Sequence, residues 1–263
     1  MATPRADSLR LGGNTSCYEV ELGAGATLIL DCGTGLIEYA ASVMGEVVKA
    51  PRDFHIFVSH FHWDHILGFP FFHPIHVRGV KIHLYSAFEA AELEHHLRAL
   101  FDGSYSPLKN LDNLAAEVSF HAIPGGGLDV LGAKLRCART DHTDEGYALR
   151  VEHGGKSLCY VTDHEARGGL VGDGIVALMR GSDLVLHDAQ YTAEEYAHHV
   201  GYGHSSIEAA LTSVTGARAK RLLLTHHDPN HSDAFLDSYV TKLTLSEELP
   251  LTLAEEGVWV DVG

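Results

Sequence analysis

Apolar residues in this chain fall into short runs, some alternating and some continuous, each closed by turn residues. "CYEVEL" (17–22) and "ATLILD" (26–31) flank the turn "GAG" and predict a β-hairpin. "GTGLIEYAASVM" has helical spacing, and "FHIFVS" (54–59) is a strand that empties into a polar loop. "VKIHLYS" predicts a further strand, followed by an amphipathic helix over "AFEAAELEHHLRALF". Residues 102–114, "DGSYSPLKNLDNL", are polar and irregular and suit a lid.

A second strand-rich series is expected from Glu117: "EVSFHAI", "AKLRCART", "YALRVEH", "KSLCYVTD", "DLVLHDAQ" and "KRLLLTHHD". Helices are expected over 192–199, 205–215 and 232–246, with "GVWVDV" as a closing strand. "PGGGLD" lacks the lysine and following helix of a phosphate loop and predicts a turn. With no biased linker and no repeat at solenoid periods, the expectation is a single α/β domain over 1–263 with two strand-rich halves.

Composition narrows the function. Of the 263 residues 45% are hydrophobic, enough for a substantial core. Nineteen basic against 35 acidic residues give a formal charge of −16, which argues against non-specific nucleic-acid binding, though not against one local basic patch. The four cysteines contain no C-x-x-C pair and suit small apolar residues in a reducing compartment. "MATPRADSLRLGGNTS" has no signal-like apolar run and no later segment suits a bilayer, so a cytoplasmic protein with a small-molecule substrate and no membrane partner is expected. Homodimerisation stays open.

Histidine is the outlier, at 20 residues. Three lie in "SHFHWDH" (59–65), which brings together His60, His62, Asp64 and His65. Imidazole and carboxylate are ligands for zinc, iron and manganese. His60 and His62 project to one side of an extended backbone, while adjacent Asp64 and His65 point differently. That pattern suits two neighbouring ions, and a solvated turn would gain nothing from three imidazoles.

H-x-H-x-D-H after an apolar strand resembles the signature of the metallo-β-lactamase superfamily, a four-layer αββα sandwich with its metal site at one edge. "GGNTSCYEV" and "LILDCGTG" resemble the opening strands of its ribonuclease Z-like and phosphodiesterase branches. "HDAQYTAEEY", "GYGHSS" and "LLLTHHDPNHSD" are similar to a bacterial branch of hydrolases. The resemblance implies two divalent ions, zinc first and manganese or iron as alternatives. It implies that His60, His62 and His142 hold one ion and Asp64, His65 and His226 the other, with Asp163 bridging and His227 the rival of His226. His142, Asp163 and His226 each also close an apolar run.

By the same resemblance Asp31 orients a ligand histidine, Asp64 belongs to the catalytic centre, and His204 protonates the leaving oxygen or steadies the transition state, with Asp188 orienting it. The pairs His95–His96 and His198–His199 fall on predicted helix surfaces and read as solvated; His164 and His231 have no assigned role. Two features depart from the branch: the strand expected before "GGNTS" is missing or replaced, and "TDEGY" after His142 is acidic enough to repel an anionic substrate. The leading expectation is hydrolysis of a small or cyclic phosphodiester through a hydroxide bridging the two ions. A lactone, ester or lactam hydrolase is the alternative, and a metal-binding sensor without turnover a third reading. The absence of a long Gly/Pro-rich insertion disfavours ribonuclease Z itself.

Overall fold

The computed structural model describes residues 2–104, 108–167, 171–244 and 249–263. The first two apolar runs form the antiparallel hairpin that the turn between them predicts. β1 (Tyr18–Glu21) pairs with β2 (Thr27–Leu30), Tyr18 opposite Leu30. β3 (Asp53–Phe57), β4 (Lys81–Ser86) and β5 (Glu117–Ala122) then add in parallel, giving a five-stranded sheet in chain order. Parallel neighbours need crossovers. α1 (Gly35–Val47) links β2 to β3, a single turn α2 (Trp63–Ile66) with two 3₁₀ turns links β3 to β4, and α3 (Ala90–Ala99) links β4 to β5. Alternate strand residues Phe54, Ile56, Ile82 and Leu84 are buried with Leu36 and Ala40 of α1 and Leu93 and Leu97 of α3. Each such side chain removed from water contributes about 1.5–3 kcal/mol.

The second sheet contains β6 (Leu128–Val130), β7 (Ala133–Arg139), β8 (Tyr147–His153), β9 (Lys156–Val161), β10 (Leu184–Asp188), β11 (Leu222–Thr225) and β12 (Leu251–Leu253). Their order is β12-β11-β10-β9-β8-β7-β6, antiparallel from β6 to β9 and parallel from β9 to β12. The continuous apolar runs "LVL" and "LLL" belong to β10 and β11, and every residue of both strands is buried, as parallel strands require. Helices α4 (Asp173–Met179), α6 (Ile207–Gly216) and α7 (Asp233–Thr244) bury Ile175, Met179, Ile207, Ala210, Val214 and Leu236 with Cys159, Val161, Val185 and Leu224 of the strands. α5 (Ala193–Tyr196) opens with a capping box between Thr192 and Glu195.

Residues 14–124 and residues 3–13 with 125–263 make two compact units. The second apolar series therefore starts later than its pattern suggests. β5 closes the first sheet, with Phe120 in register with Leu84. Residues 3–13 form turns, with no strand, and belong to the second unit, where Asp233 accepts from the backbone N–H of Arg10 and Leu11, both at 3.1 Å. α4 escaped the periodicity because seven residues give too few turns to show it.

"GVWVDV" is not a strand. The ladder position beside β11 is taken by "LTL" of β12, and Val258 and Trp259 stay exposed. β6 forms where only a turn was expected, and the helix expected over 192–199 stops at Tyr196. Of the expected lid, residues 105–107 lie outside the described residues; Leu111, in a 3₁₀ turn, is buried, which anchors that end. All four cysteines are free, and burial pushes the thiols of Cys137 and Cys159 up to about 12, so they act as small apolar residues. No helix among the described residues is long and apolar enough to cross a membrane.

Candidate metal centre

In the first unit, "SHFHWDH" leaves β3 extended and then winds into α2, so Asp64 and His65 sit on a helical turn where a loop was expected. The change of backbone separates the two donor pairs. His60 and His62 precede the turn, with ring centroids 4.7 Å apart; His65 folds back to 4.2 Å from His60. His60 and His65 are buried.

Asp31, fully buried at the end of β2, organises this cluster. Its carboxylate accepts from the Ser59 backbone N–H at 2.7 Å, the Ser59 hydroxyl at 2.8 Å and the His65 Nδ1–H at 2.7 Å. The residue has φ +63°, a left-handed backbone that a side chain tolerates only when its surroundings fix it. Backbone bonds complete the join: Cys32 N–H donates to His65 O at 2.7 Å, and Gly68 N–H to Cys32 O at 2.8 Å. A Cβ on Gly33 would lie 2.3 Å from Asp64 O, and one on Gly68 2.0 Å from Gly33 O. Only glycine allows these backbones to meet.

In the second unit the cluster forms at the ends of strands that run the same way. His142 follows β7, Asp163 follows β9, Asp188 ends β10 and His226 follows β11, while His204 precedes α6. Asp163 turns one oxygen toward each of two histidines: Oδ2 is 3.5 Å from His142 Nε2, and Oδ1 is 3.5 Å from His226 Nδ1. Thr162 Oγ1 donates to Asp163 Oδ1 at 2.7 Å. His142 Nδ1 donates to the Gly203 carbonyl at 2.8 Å. His204 stacks on His226 at 5.0 Å, and its Nδ1 donates at 2.7 Å to Asp188 Oδ2, on a carboxylate with no solvent exposure. Asp163 (φ +46°) and His226 (φ +57°) are both left-handed, the strain expected where side chains must be aimed.

The donor sets fit metal ions. Two ligands at 2.0–2.1 Å from one tetrahedral ion lie roughly 3.3 Å apart. The Asp163 separations of 3.5 Å and the 3.6 Å between His65 Nε2 and Asp64 Oδ2 are close to that edge, and long for good hydrogen bonds. His65 and His142 each commit Nδ1 to an oxygen, which leaves Nε2 for an ion.

The family model of the beta-lactamase superfamily domain matches residues 27–227. The chain belongs to the metallo-β-lactamase superfamily. It is a metal-dependent hydrolase, related to ribonuclease Z and phosphodiesterases. A ribonuclease Z of Ignicoccus hospitalis is 29% identical over 263 residues, covering 82% of each chain. The metallo-β-lactamase fold protein YhfI of Bacillus subtilis superposes with a TM-score of 0.70 at 20% identity, covering 94% of this chain and 92% of that one. A diphosphatase of the PhnP family gives a TM-score of 0.65 at 19% identity, covering 94% and 84%.

This superfamily member also contains positioning groups that its sequence did not reveal. Glu165 is buried and accepts from Tyr196 Oη at 2.8 Å and the backbone N–H of Gly201 at 2.7 Å and Gly203 at 3.1 Å. It thereby holds the loop that carries His204 and the carbonyl bound by His142. Burial pushes its carboxyl up, but those donors outweigh it and leave the pKa below the ordinary value. Gly203 has φ +84°, and a Cβ there would lie 2.1 Å from His142 Nδ1. His164 gains a role: burial pushes its imidazole down to about 3, and the neutral Nδ1 accepts from Asp141 N–H at 2.9 Å, beside His142.

The place of Glu165 two residues after Asp163 was the only sequence signal; the loop it holds lies some 36 residues further along the chain. Between the rivals, His226 faces Asp163, while burial pushes His227 down to about 4. His231 bonds Glu195 at 2.8 Å. Two histidines expected to be solvated are not. His96 stacks on Phe61 at 4.1 Å, and His199 stacks on Tyr191 at 4.5 Å, because aromatic neighbours cover them; His95 and His198 are exposed.

Proposed function

We propose that the protein hydrolyses a small or cyclic phosphodiester at a dinuclear centre. His60, His62 and His142 would hold one ion and Asp64, His65 and His226 the other, with Asp163 bridging; zinc suits this nitrogen and oxygen set. When bound, such a pair supplies Lewis acidity and a hydroxide nucleophile at neutral pH.

The observation that carries the phosphodiester reading is the His204–Asp188 pair. Displacement at phosphorus needs a proton for a poor leaving oxygen. His204 stands against His226 with Nδ1 fixed on a buried carboxylate, so Nε2 is the atom that delivers the proton. Asp188 is itself held by the N–H of Gln190 at 3.1 Å and of His164 at 3.3 Å, so the imidazole keeps one orientation. A carboxylic ester or lactone would need no such acid. The relatives named ribonuclease Z favour a phosphodiester too, and RNA is the second reading on that ground; the charge of −16 favours a smaller substrate.

His204→Ala should slow an alkyl phosphodiester by roughly 10²–10⁴-fold and a nitrophenyl phosphodiester far less, since nitrophenolate leaves without a proton. Metal content should not change. Equal losses on both substrates would remove the acid role, and robust lactone hydrolysis with no phosphodiester affected would replace the reading. Preference for a structured RNA over dinucleotides and cyclic nucleotides would shift the substrate class.

A further inference from the structure

A second cluster of donors lies on the first sheet, near the beginning of β3. Five residues of extended chain separate His55 from His60, roughly 16 Å at 3.3 Å per residue. His55 and His83 are register partners on adjacent parallel strands, and the next partner in that row is Ser119 of β5. The two rings lie 4.7 Å apart, and Asp53 Oδ2 is 3.5 Å from His83 Nε2. One ligand atom from each of Asp53, His55 and His83 lies within 4.8 Å of the others.

Second partners fix both imidazoles. His55 Nδ1 bonds Tyr85 Oη at 3.0 Å, and His83 Nδ1 bonds Ser119 Oγ at 2.9 Å. Ser119 Oγ in turn meets His121 Nε2 at 2.9 Å, so its hydroxyl can accept from His83 while donating to His121. Each Nδ1 can therefore carry the hydrogen, which leaves each Nε2 with its lone pair, that of His83 3.5 Å from Asp53 Oδ2. An oxygen on one ring nitrogen and an open lone pair on the other is how proteins orient metal-binding histidines.

His83 is 24% and Asp53 49% exposed, which leaves room for water as remaining ligands. The 3.5 Å separation is again close to the tetrahedral edge; drawing the other atoms in from 4.8 Å asks shifts of roughly 1 Å of partly exposed side chains.

We propose that Asp53, His55 and His83 form an additional binding site for a borderline divalent cation of the Zn²⁺ type, separate from the proposed dinuclear centre and clamping β3 to β4. The site needs no catalytic role: two histidines and a carboxylate with open positions bind reversibly, and the ion would tie together two parallel strands.

The test uses the whole protein with its tightly held ions, dialysed against metal-free buffer and titrated with Zn²⁺ at pH 7.5 by calorimetry, with elemental analysis before and after. One further equivalent per chain is expected. His55→Ala/His83→Ala should abolish that equivalent while keeping the resident metal content and turnover of bis(p-nitrophenyl) phosphate. Asp53→Asn, a change at an exposed and fold-neutral position, should weaken it by at least the roughly 10–100-fold that loss of an outer partner costs. Identical stoichiometry and affinity in wild type and Asp53→Asn would overturn the proposal even if the double variant fails to fold. Loss of resident metal from a folded double variant would also overturn it, since the two sites would then not be separate.

Discussion

Asp31→Asn is the sharpest probe of the first cluster. The carboxylate accepts from the Ser59 backbone N–H on Oδ1, and Oδ2 receives Ser59 Oγ–H and His65 Nδ1–H. An asparagine that keeps its carbonyl on the Ser59 N–H must place its NH₂ group where Oδ2 was. His65 then meets a donor, so Nδ1 must accept and the ring hydrogen moves to Nε2, the atom 3.6 Å from Asp64 that would face an ion. Restoring the metal-competent tautomer sets two buried N–H groups against each other, a penalty of about 1–3 kcal/mol. At about 1.4 kcal/mol per tenfold, affinity for the ion held by His65 should fall roughly 5–150-fold.

Chelator competition at fixed pH measures that loss. The apo variant should melt close to apo wild type, because its amide still bonds the same neighbours. Asp31→Ala should melt much lower, since it strands the Ser59 N–H and leaves alanine at φ +63°. Metal affinity within twofold of wild type in Asp31→Asn would refute the tautomer argument. An apo melting point as low as that of Asp31→Ala would make Asp31 a folding residue alone.

Three further outcomes are expected. Gly203→Ala, whose Cβ would meet His142 Nδ1 at 2.1 Å, should lose metal and activity while its far-ultraviolet circular dichroism stays native; full metal retention would mean that the loop yields freely. The Glu165 carboxyl is depressed when folded, so its contribution is complete above its unfolded pKa of about 4.3 and is lost as pH falls through the lower folded value. Hydrogen-exchange protection around residues 201–204 should therefore drop on acidification below about pH 4 in wild type and start low, without that drop, in Glu165→Gln. Asp64→Ala should reduce activity far more than the melting point measured with chelator present, because it relieves like-charge crowding in the metal-free protein; an apo variant melting well below apo wild type would make Asp64 structural.

The sequence by itself determined whatever depends on short stretches of chain. Alternation in "YEVE" and the continuous apolar runs "LIL", "LVL" and "LLL" come from side-chain period and transfer free energy, and those strands form where the pattern places them. "SHFHWDH" is legible for the same reason, since its four donors are set within six residues by covalent geometry. His142, Asp163, His204 and His226 could be named as strand-end or helix-entry residues, yet nothing in their spacing says that they share one edge. β7, β9, β10 and β11 run the same way in one sheet, and that topology gathers their ends.

Tertiary structure alone decided the rest. β5 reads like the strands that follow it, and only its register with β4 assigns it to the first sheet. "GVWVDV" has the stronger strand pattern, but β11 offers one free edge and "LTL" occupies it. Glu165 looks like a surface glutamate until Gly201 and Gly203 turn their N–H groups onto it. His55 and His83 look like scattered histidines until parallel pairing puts them side by side. Periodicity reports which face of an element is apolar, a local property. The partner that meets that face, and the donor that meets a buried charge, depend on contacts between residues far apart in the chain, which no local pattern encodes.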